Sequence, residues 1–189
     1  MTLINYLTRV HFADGVLEEA VRSEMEFSEN RSPLILIKKG GMTEMLAERL
    51  LTAMPTRSRA EIFELPPTLP DDATATRAAE FYREAECDML IACGGRSALS
   101  SAKLARLMLV QSTPPSAYLS SSRLDRLHQN LPDLLVVPDN CGLCSAATPQ
   151  SPFRMPDGTR AVIHMKELTP TAAIFDPTLT LGSDAGKTA

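Results

Sequence analysis

MLIACGGRSALSSAK, residues 89–103, sets an unbroken apolar run against a glycine pair and then a stretch with helical character. Five apolar residues that end abruptly at Gly94-Gly95 read as a strand buried on both faces, which in α/β proteins means a parallel strand. SALSSAKLARLMLV then carries apolar positions at helical spacing, so the glycines form a strand-to-helix turn. At such a turn, free backbone N–H groups and the positive end of the helix dipole attract an anion. Glycine lets the backbone approach that anion closely, and Ser97 adds a hydroxyl donor or caps the helix. The spacing is not G-x-G-x-x-G, so Gly94, Gly95, Arg96 and Ser97 carry two readings, a phosphate cradle or plain turn chemistry.

The same unit recurs on either side. LILI, after Asn30-Arg31-Ser32-Pro33, predicts a buried strand running into Lys38-Lys39-Gly40-Gly41, and Thr43 is placed to cap a helix with Met45, Leu46, Leu50 and Met54 on one face. VLEEAVRSEMEF predicts an earlier helix, with Asp14-Gly15 as its cap and turn. RAEIFEL reads as a strand, and PPTLPDD leads into a helix carrying Ala75, Ala78, Ala79, Tyr82 and Ala85. A short helix capped by Ser121 or Ser122 is expected before the strand LLVV. From residue 149 onward, Pro156-Asp157-Gly158 between strand-like runs predicts a β-hairpin, and TAAIFDP a last short strand. The expected fold is therefore α/β: a Rossmann-like parallel sheet with helices on both faces plus a C-terminal β-hairpin, in one domain spanning residues 1–189. Ligands of such sheets bind at the carboxyl ends of the strands.

Composition narrows the function. Hydrophobic residues make up 44% and charged residues 22%, and the net charge of −4 offers no polycation for a phosphate backbone, so nucleic acid is not expected as a partner. No apolar run reaches the roughly 20 residues that cross a bilayer, and MTLINYLTRVHFADG lacks the pattern of a secretory signal, so no membrane association and a cytoplasmic location are expected. The 4 cysteines form no dense framework and suit thiols kept reduced.

Four blocks together resemble the iron-containing (group III) alcohol dehydrogenase family, which includes maleylacetate reductases and glycerol dehydrogenases. They are VHFADGVLEEA, REAECDMLIACGGRSALSSAK, VVPDNCGLCSAATP and TAAIFDPTLTLG, in the family's order and spacing. The resemblance implies a nucleotide-binding α/β domain followed by a helical metal-binding domain, with hydride exchanged between a nicotinamide cofactor and an alcohol or aldehyde. The chain stops at DPTLTLGSDAGKTA, where the helical domain would begin, so the resemblance implies the NAD(P)-binding half alone, with no catalytic residue and no metal ligand. His11, His128 and His164 show no ligand spacing. Chemistry would then require a supplied metal domain. The dinucleotide and either a second copy or a separate helical domain are the expected partners.

The cofactor contacts implied by the resemblance fall on Gly94, Gly95, Arg96, Ser97, Lys38, Asp139, Asn140 and Ser145. Arg96 replaces a third glycine; it contacts phosphate oxygens or obstructs the backbone's approach, and obstruction is the favoured reading. Lys38 stands where the family often has an Asp on the ribose hydroxyls. An ammonium cannot accept those hydrogens but suits a 2′-phosphate, so NADP is expected over NAD. Asp139 and Asn140 retain hydrogen-bonding capacity toward a ribose, although a carboxylate near a pyrophosphate is unfavourable. Leu143 offers none, and Gly142, Ser145, Thr148 and Pro149 persist from the family's pattern.

Three functions compete. One is the cofactor half of an oxidoreductase; a second is a non-catalytic relative retaining the fold for nucleotide or protein binding. The third is a thiol-redox protein using Cys141 and Cys144, whose C-x-x-C lacks the second pair that a zinc site wants. Cys93 ends one strand and Cys141 follows the next, so the two are expected at neighbouring strand ends.

Overall fold

The computed structural model describes residues 8–38, 42–111, 113–119, 131–140 and 144–181. Its elements follow the expected alternation: β1 (Arg9–Phe12), α1 (Leu17–Ser28), β2 (Pro33–Lys38), α2 (Met42–Ala53), β3 (Glu61–Leu65), α3 (Asp72–Glu84), β4 (Met89–Cys93), α4 (Arg96–Val110), β5 (Asp133–Val137), β6 (Gln150–Arg154), β7 (Arg160–His164) and β8 (Ala172–Phe175). Six strands form one sheet in the order β1-β8-β5-β4-β2-β3, every neighbouring pair parallel. β6 and β7 pair antiparallel as a separate hairpin.

Central strands β2, β4 and β5 are the continuous apolar runs, and both faces of each are covered. Ile35, Ile37, Ile91 and Leu135 point toward Leu17, Val21, Leu46 and Leu50 of α1 and α2. Leu34, Leu36, Leu90 and Leu134 point the other way, onto Ala78 of α3 and Leu99, Ala102 and Ala105 of α4. Alternation with a period of two thus divides one strand between two cores. The small side chains on α3 and α4 let those helices lie close to the sheet and to each other. The hairpin packs outside this layer, burying Phe153, Ile163 and Met165 against Leu104, Leu107 and Met108 of α4.

Several local expectations are corrected. β1 is an edge strand with no strong apolar signature; it exists because Arg9 to Phe12 align with Ala172 to Phe175 of β8. α1 has Val16 as its cap residue with no side-chain cap bond, so Asp14 does not cap it. The acceptor comes instead from Asp176, whose carboxylate takes the N–H of Gly15 at 2.9 Å and of Leu17 at 3.3 Å. Gly15 does form the expected turn, with φ +71. α2 begins at Met42, one residue before Thr43, and Met45 is 66% exposed while Leu46, Ala47, Leu50 and Ala53 make the buried face. α3 is capped by Asp71, which accepts the Thr74 N–H at 2.9 Å. The helix expected after Ser121 or Ser122 lies outside the described residues; before it, Pro115–Leu119 form a single 3-10 turn.

Candidate functional site

At the carboxyl end of β4 the chain leaves the sheet through Gly94, at φ +115, a conformation that side-chain-bearing residues rarely adopt. Its N–H donates to the Val137 carbonyl at 3.0 Å, which ties the β4 exit to the end of β5. Gly95 is the cap residue of α4 and has no side chain to offer the N–H groups of the first helical turn. A Cβ on Gly95 would lie 3.3 Å from Asn140 Nδ2 and 3.8 Å from Asp139 Oδ1. The fold therefore brings together Gly94, Gly95, Asp139 and Asn140 from two distant parts of the chain, with the Asn140 amide donating to Asp139 at 2.7 Å. Ser97 does not cap α4; its hydroxyl donates to the Thr68 carbonyl and fastens the helix start to the loop after β3.

Ser145 belongs to the same end of the sheet, but it is held through its backbone. Lys103, fully buried on α4, donates from Nζ to the carbonyls of Ser145, Thr148 and Gln150, the last two at 2.7 and 2.8 Å. Three carbonyls match the three N–H bonds of an ammonium, while burial pulls its pKa down to about 7. Lys103 is thus a clamp between α4 and the 145–150 segment, a role that its place in the sequence does not announce. Arg106, one turn further, is likewise buried and donates to the carbonyls of Pro132, Glu167 and Thr169, which secures the approaches to β5 and β8.

Two clefts flank the glycine turn. One, of about 500 Å³, is lined by Thr68, Leu69, Arg96, Ser97, Arg154 and Arg160, among others. The other, of about 300 Å³, lies at the ends of β1, β5 and β8 and is lined by Phe12, Pro138, Asn140, Phe175 and Pro177. Arg154 and Arg160 gave no signal in the sequence, because only the register of β6 on β7 sets them opposite each other beside α4. Asp176, at the second cleft, would be pushed up by burial, but hydrogen bonds from Thr178, Gly15 and Leu17 hold its carboxyl below the usual range.

Lys38 ends β2 and is exposed. Because Ile37 pairs with Cys93, Lys38 stands level with Gly94 on the neighbouring strand. It does not line either cleft. Cys93 is fully buried, and burial, then the charge of Asp139, raise its thiol, which disfavours the reactive thiolate. Cys141 and the side chain of Cys144 lie outside the described residues, as does His128. His11 is engaged with Glu24, Nε2 to Oε1 at 2.7 Å, and His164 is exposed on β7. Among the described residues, no group of three or more His, Cys, Asp or Glu side chains converges on a point where a metal ion would fit. No described helix is long and apolar enough to cross a membrane.

Known proteins share this fold. The 4-hydroxybutyrate dehydrogenase of Cupriavidus necator is 33% identical, with 100% of this chain and 49% of the relative aligned, so the chain spans about half that relative's length. The sulfoacetaldehyde reductase of Bifidobacterium kashiwanohense, solved in complex with NAD+, superposes with a TM-score of 0.83 at 22% identity over 97% of this chain and 48% of that one. The NADH-dependent butanol dehydrogenase A of Thermotoga maritima gives 0.84 at 15% identity over 100% and 47%. The model of the family described as iron-containing alcohol dehydrogenase matches residues 8–177, nearly the whole described fold, and the chain belongs to that family.

Proposed function

We propose that residues 1–189 form the dinucleotide-binding half of an NAD(P)-dependent oxidoreductase acting between an alcohol and an aldehyde. The observation that carries this reading is the opening of α4, where Gly94 at positive φ and an uncapped helix start leave backbone N–H groups facing the strand ends. Gly95 keeps that space free of any side chain of its own. A pyrophosphate suits these donors, and the helix dipole favours its charge. Asn140 is placed to hydrogen-bond a ribose, and the apolar cleft of Phe12, Pro138 and Phe175 suits the uncharged face of a nicotinamide ring. When bound, the cofactor supplies the hydride-carrying carbon; the chain's residues hold and orient it.

The cation at the end of β2 supports NADP over NAD, since Lys38 has no lone pair for ribose hydroxyls. Iron, which the family's name implies, finds no fitting group among the described residues. Polarisation of the substrate oxygen is expected to need a metal-binding helical domain, from a longer polypeptide or a separate one. Phe12, 73% exposed at the carboxyl end of β1, and Leu181, 83% exposed after the 3-10 turn that follows β8, offer apolar surface on which such a domain or a second copy would pack.

Calorimetric titration with NAD+ and NADP+ tests the proposal: saturable binding of either supports it, and no binding of both refutes it. A second reading, a non-catalytic relative, is favoured by Asp139, whose carboxylate stands beside Gly95 where a pyrophosphate would approach. It predicts no turnover even when a metal-loaded helical domain is supplied together with alcohol and cofactor, whereas the first reading predicts turnover under those conditions.

A further inference from the structure

We propose that the cleft walled by Arg96, Arg154 and Arg160 is a phosphomonoester-binding site. Three elements build it. The hairpin is fixed to the loop after β3 by the Arg154 N–H, which donates to the Pro70 carbonyl at 2.8 Å, and by the Arg154 guanidinium, which reaches Asp71 at 2.8 Å. The start of α4 is fixed to the same loop by Ser97 on Thr68. Pro156 and Asp157 turn the hairpin tightly, with the Gly158 N–H on the Met155 carbonyl at 2.9 Å and Gly158 at φ +85. The walls are thus held by hydrogen bonds on every side, and the cleft does not depend on a free loop.

Charge points to the ligand. Arg154 and Arg160 are direct cross-strand partners, so their side chains leave the same face of the hairpin. Like charges opposed in this way repel. Asp71 answers one of the two, and among the described residues neither Arg160 nor Arg96 has an acidic partner. Three guanidiniums against one carboxylate leave a surplus of positive charge in a space of about 500 Å³, large enough for a phosphate and the sugar that bears it. Guanidinium is planar and offers paired N–H donors, which match the oxygens of a dianionic phosphate. Ser97 lines the same opening, but its hydroxyl hydrogen is already on the Thr68 carbonyl, so the guanidiniums are the donors a phosphate would meet.

Such a phosphate has two sources: the 2′-phosphate of NADP, which rests on the cofactor reading above, or a free phosphomonoester. Lys38 lies outside the cleft, so its contribution is separable. The test is calorimetry of the chain with NADP+, NAD+, 2′-AMP and inorganic phosphate, on the wild type, Arg160→Gln, Arg96→Gln and Lys38→Ala. Arg160→Gln removes no hydrogen bond seen in the structure, and circular dichroism verifies its fold. Expected are NADP+ binding at least tenfold tighter than NAD+ and saturable 2′-AMP binding. Arg160→Gln is expected to lose that advantage while NAD+ affinity stays within about twofold, and Arg96→Gln to weaken 2′-AMP.

Binding of phosphate and 2′-AMP that depends on Arg160, without discrimination between the dinucleotides, keeps the cleft as a free-phosphomonoester site. The same result with neither dinucleotide bound keeps the cleft and removes the cofactor reading. Equal NAD+ and NADP+ affinities with no 2′-AMP or phosphate binding overturn the cleft and leave the cofactor reading standing. A preference for NADP+ that survives Arg160→Gln and vanishes in Lys38→Ala also overturns it.

Discussion

Replacing Lys103 by Met tests how the 145–150 segment is held beside the candidate site. Lys103 is fully buried, and its ammonium meets three backbone carbonyls. An unfolded lysine keeps its proton up to about pH 10.4, whereas burial draws the folded value down to about 7. Between those values the unfolded chain binds more protons than the folded one, so stability rises with pH. At about 1.4 kcal/mol per pH unit, the rise attributable to Lys103 is at most about 5 kcal/mol from pH 7 to pH 10.4. Cys87, raised to about 11 by burial and then by the charge of Glu61, acts in the opposite direction, as does Cys93. The difference between wild type and Lys103→Met removes both thiols from the comparison. Urea unfolding at pH 7, 8, 9 and 10 should show the wild-type advantage growing with pH. At pH 10, where the neutral amine keeps two N–H donors, it should include about 2 kcal/mol for the two carbonyls that methionine leaves without a donor. A difference that is flat or falls with pH would show that the carbonyls fully restore the ammonium, and the reasoning fails.

Three further substitutions address other links. Gly95→Val should leave the fold in place but lower dinucleotide affinity by about tenfold or more in calorimetry, because its side chain enters the space now bordered by Asn140 and Asp139. Asp176→Asn should cost about 2–4 kcal/mol in urea unfolding at pH 7, since the charged acceptor of Gly15, Leu17 and Thr178 is lost. The Asp176 carboxyl lies below its usual range, so its stabilisation is present above about pH 4 and lost as pH falls through the folded value; the penalty of the substitution should shrink in acid. Phe153→Ala should cost about 3–5 kcal/mol, because its fully buried ring anchors the hairpin on α4, and 2′-AMP binding should weaken with it.

Much of this fold is local, and for that reason it was legible. MLIAC, LILI and LLVV are apolar without interruption because strands buried on both faces have no polar side, and Gly94 marks a turn that its backbone angle requires. The alternation of these runs with helical periods predicts the parallel sheet, and Pro156-Asp157-Gly158 predicts the hairpin. β1 escaped because RVHF sits at the sheet edge, with one neighbouring strand and mostly exposed side chains; only pairing with β8 makes it a strand. Met45 was misplaced because a helical period defines a stripe without its exact centre, and packing against β2 chose the stripe one residue on, at Leu46, Ala47 and Leu50.

The candidate site divides the same way. Gly94, Gly95, Arg96 and Ser97 are contiguous, so their spacing is visible in one line of sequence, and Asp139 and Asn140 follow a strand in the same manner. What remained hidden is whatever depends on distance along the chain being cancelled by folding. The acceptor at the start of α1 comes from Asp176, 161 residues from Gly15. Lys103 looks like any lysine on a helix until the sheet and hairpin close over it. Arg154 and Arg160 become neighbours through strand register alone. Sequence by itself determined the layers and the glycine turn, because hydrophobic period and backbone freedom are properties of short segments. Tertiary structure decided which charges are buried, which are paired and which face an open cleft, because those depend on what the rest of the chain brings within a few ångströms.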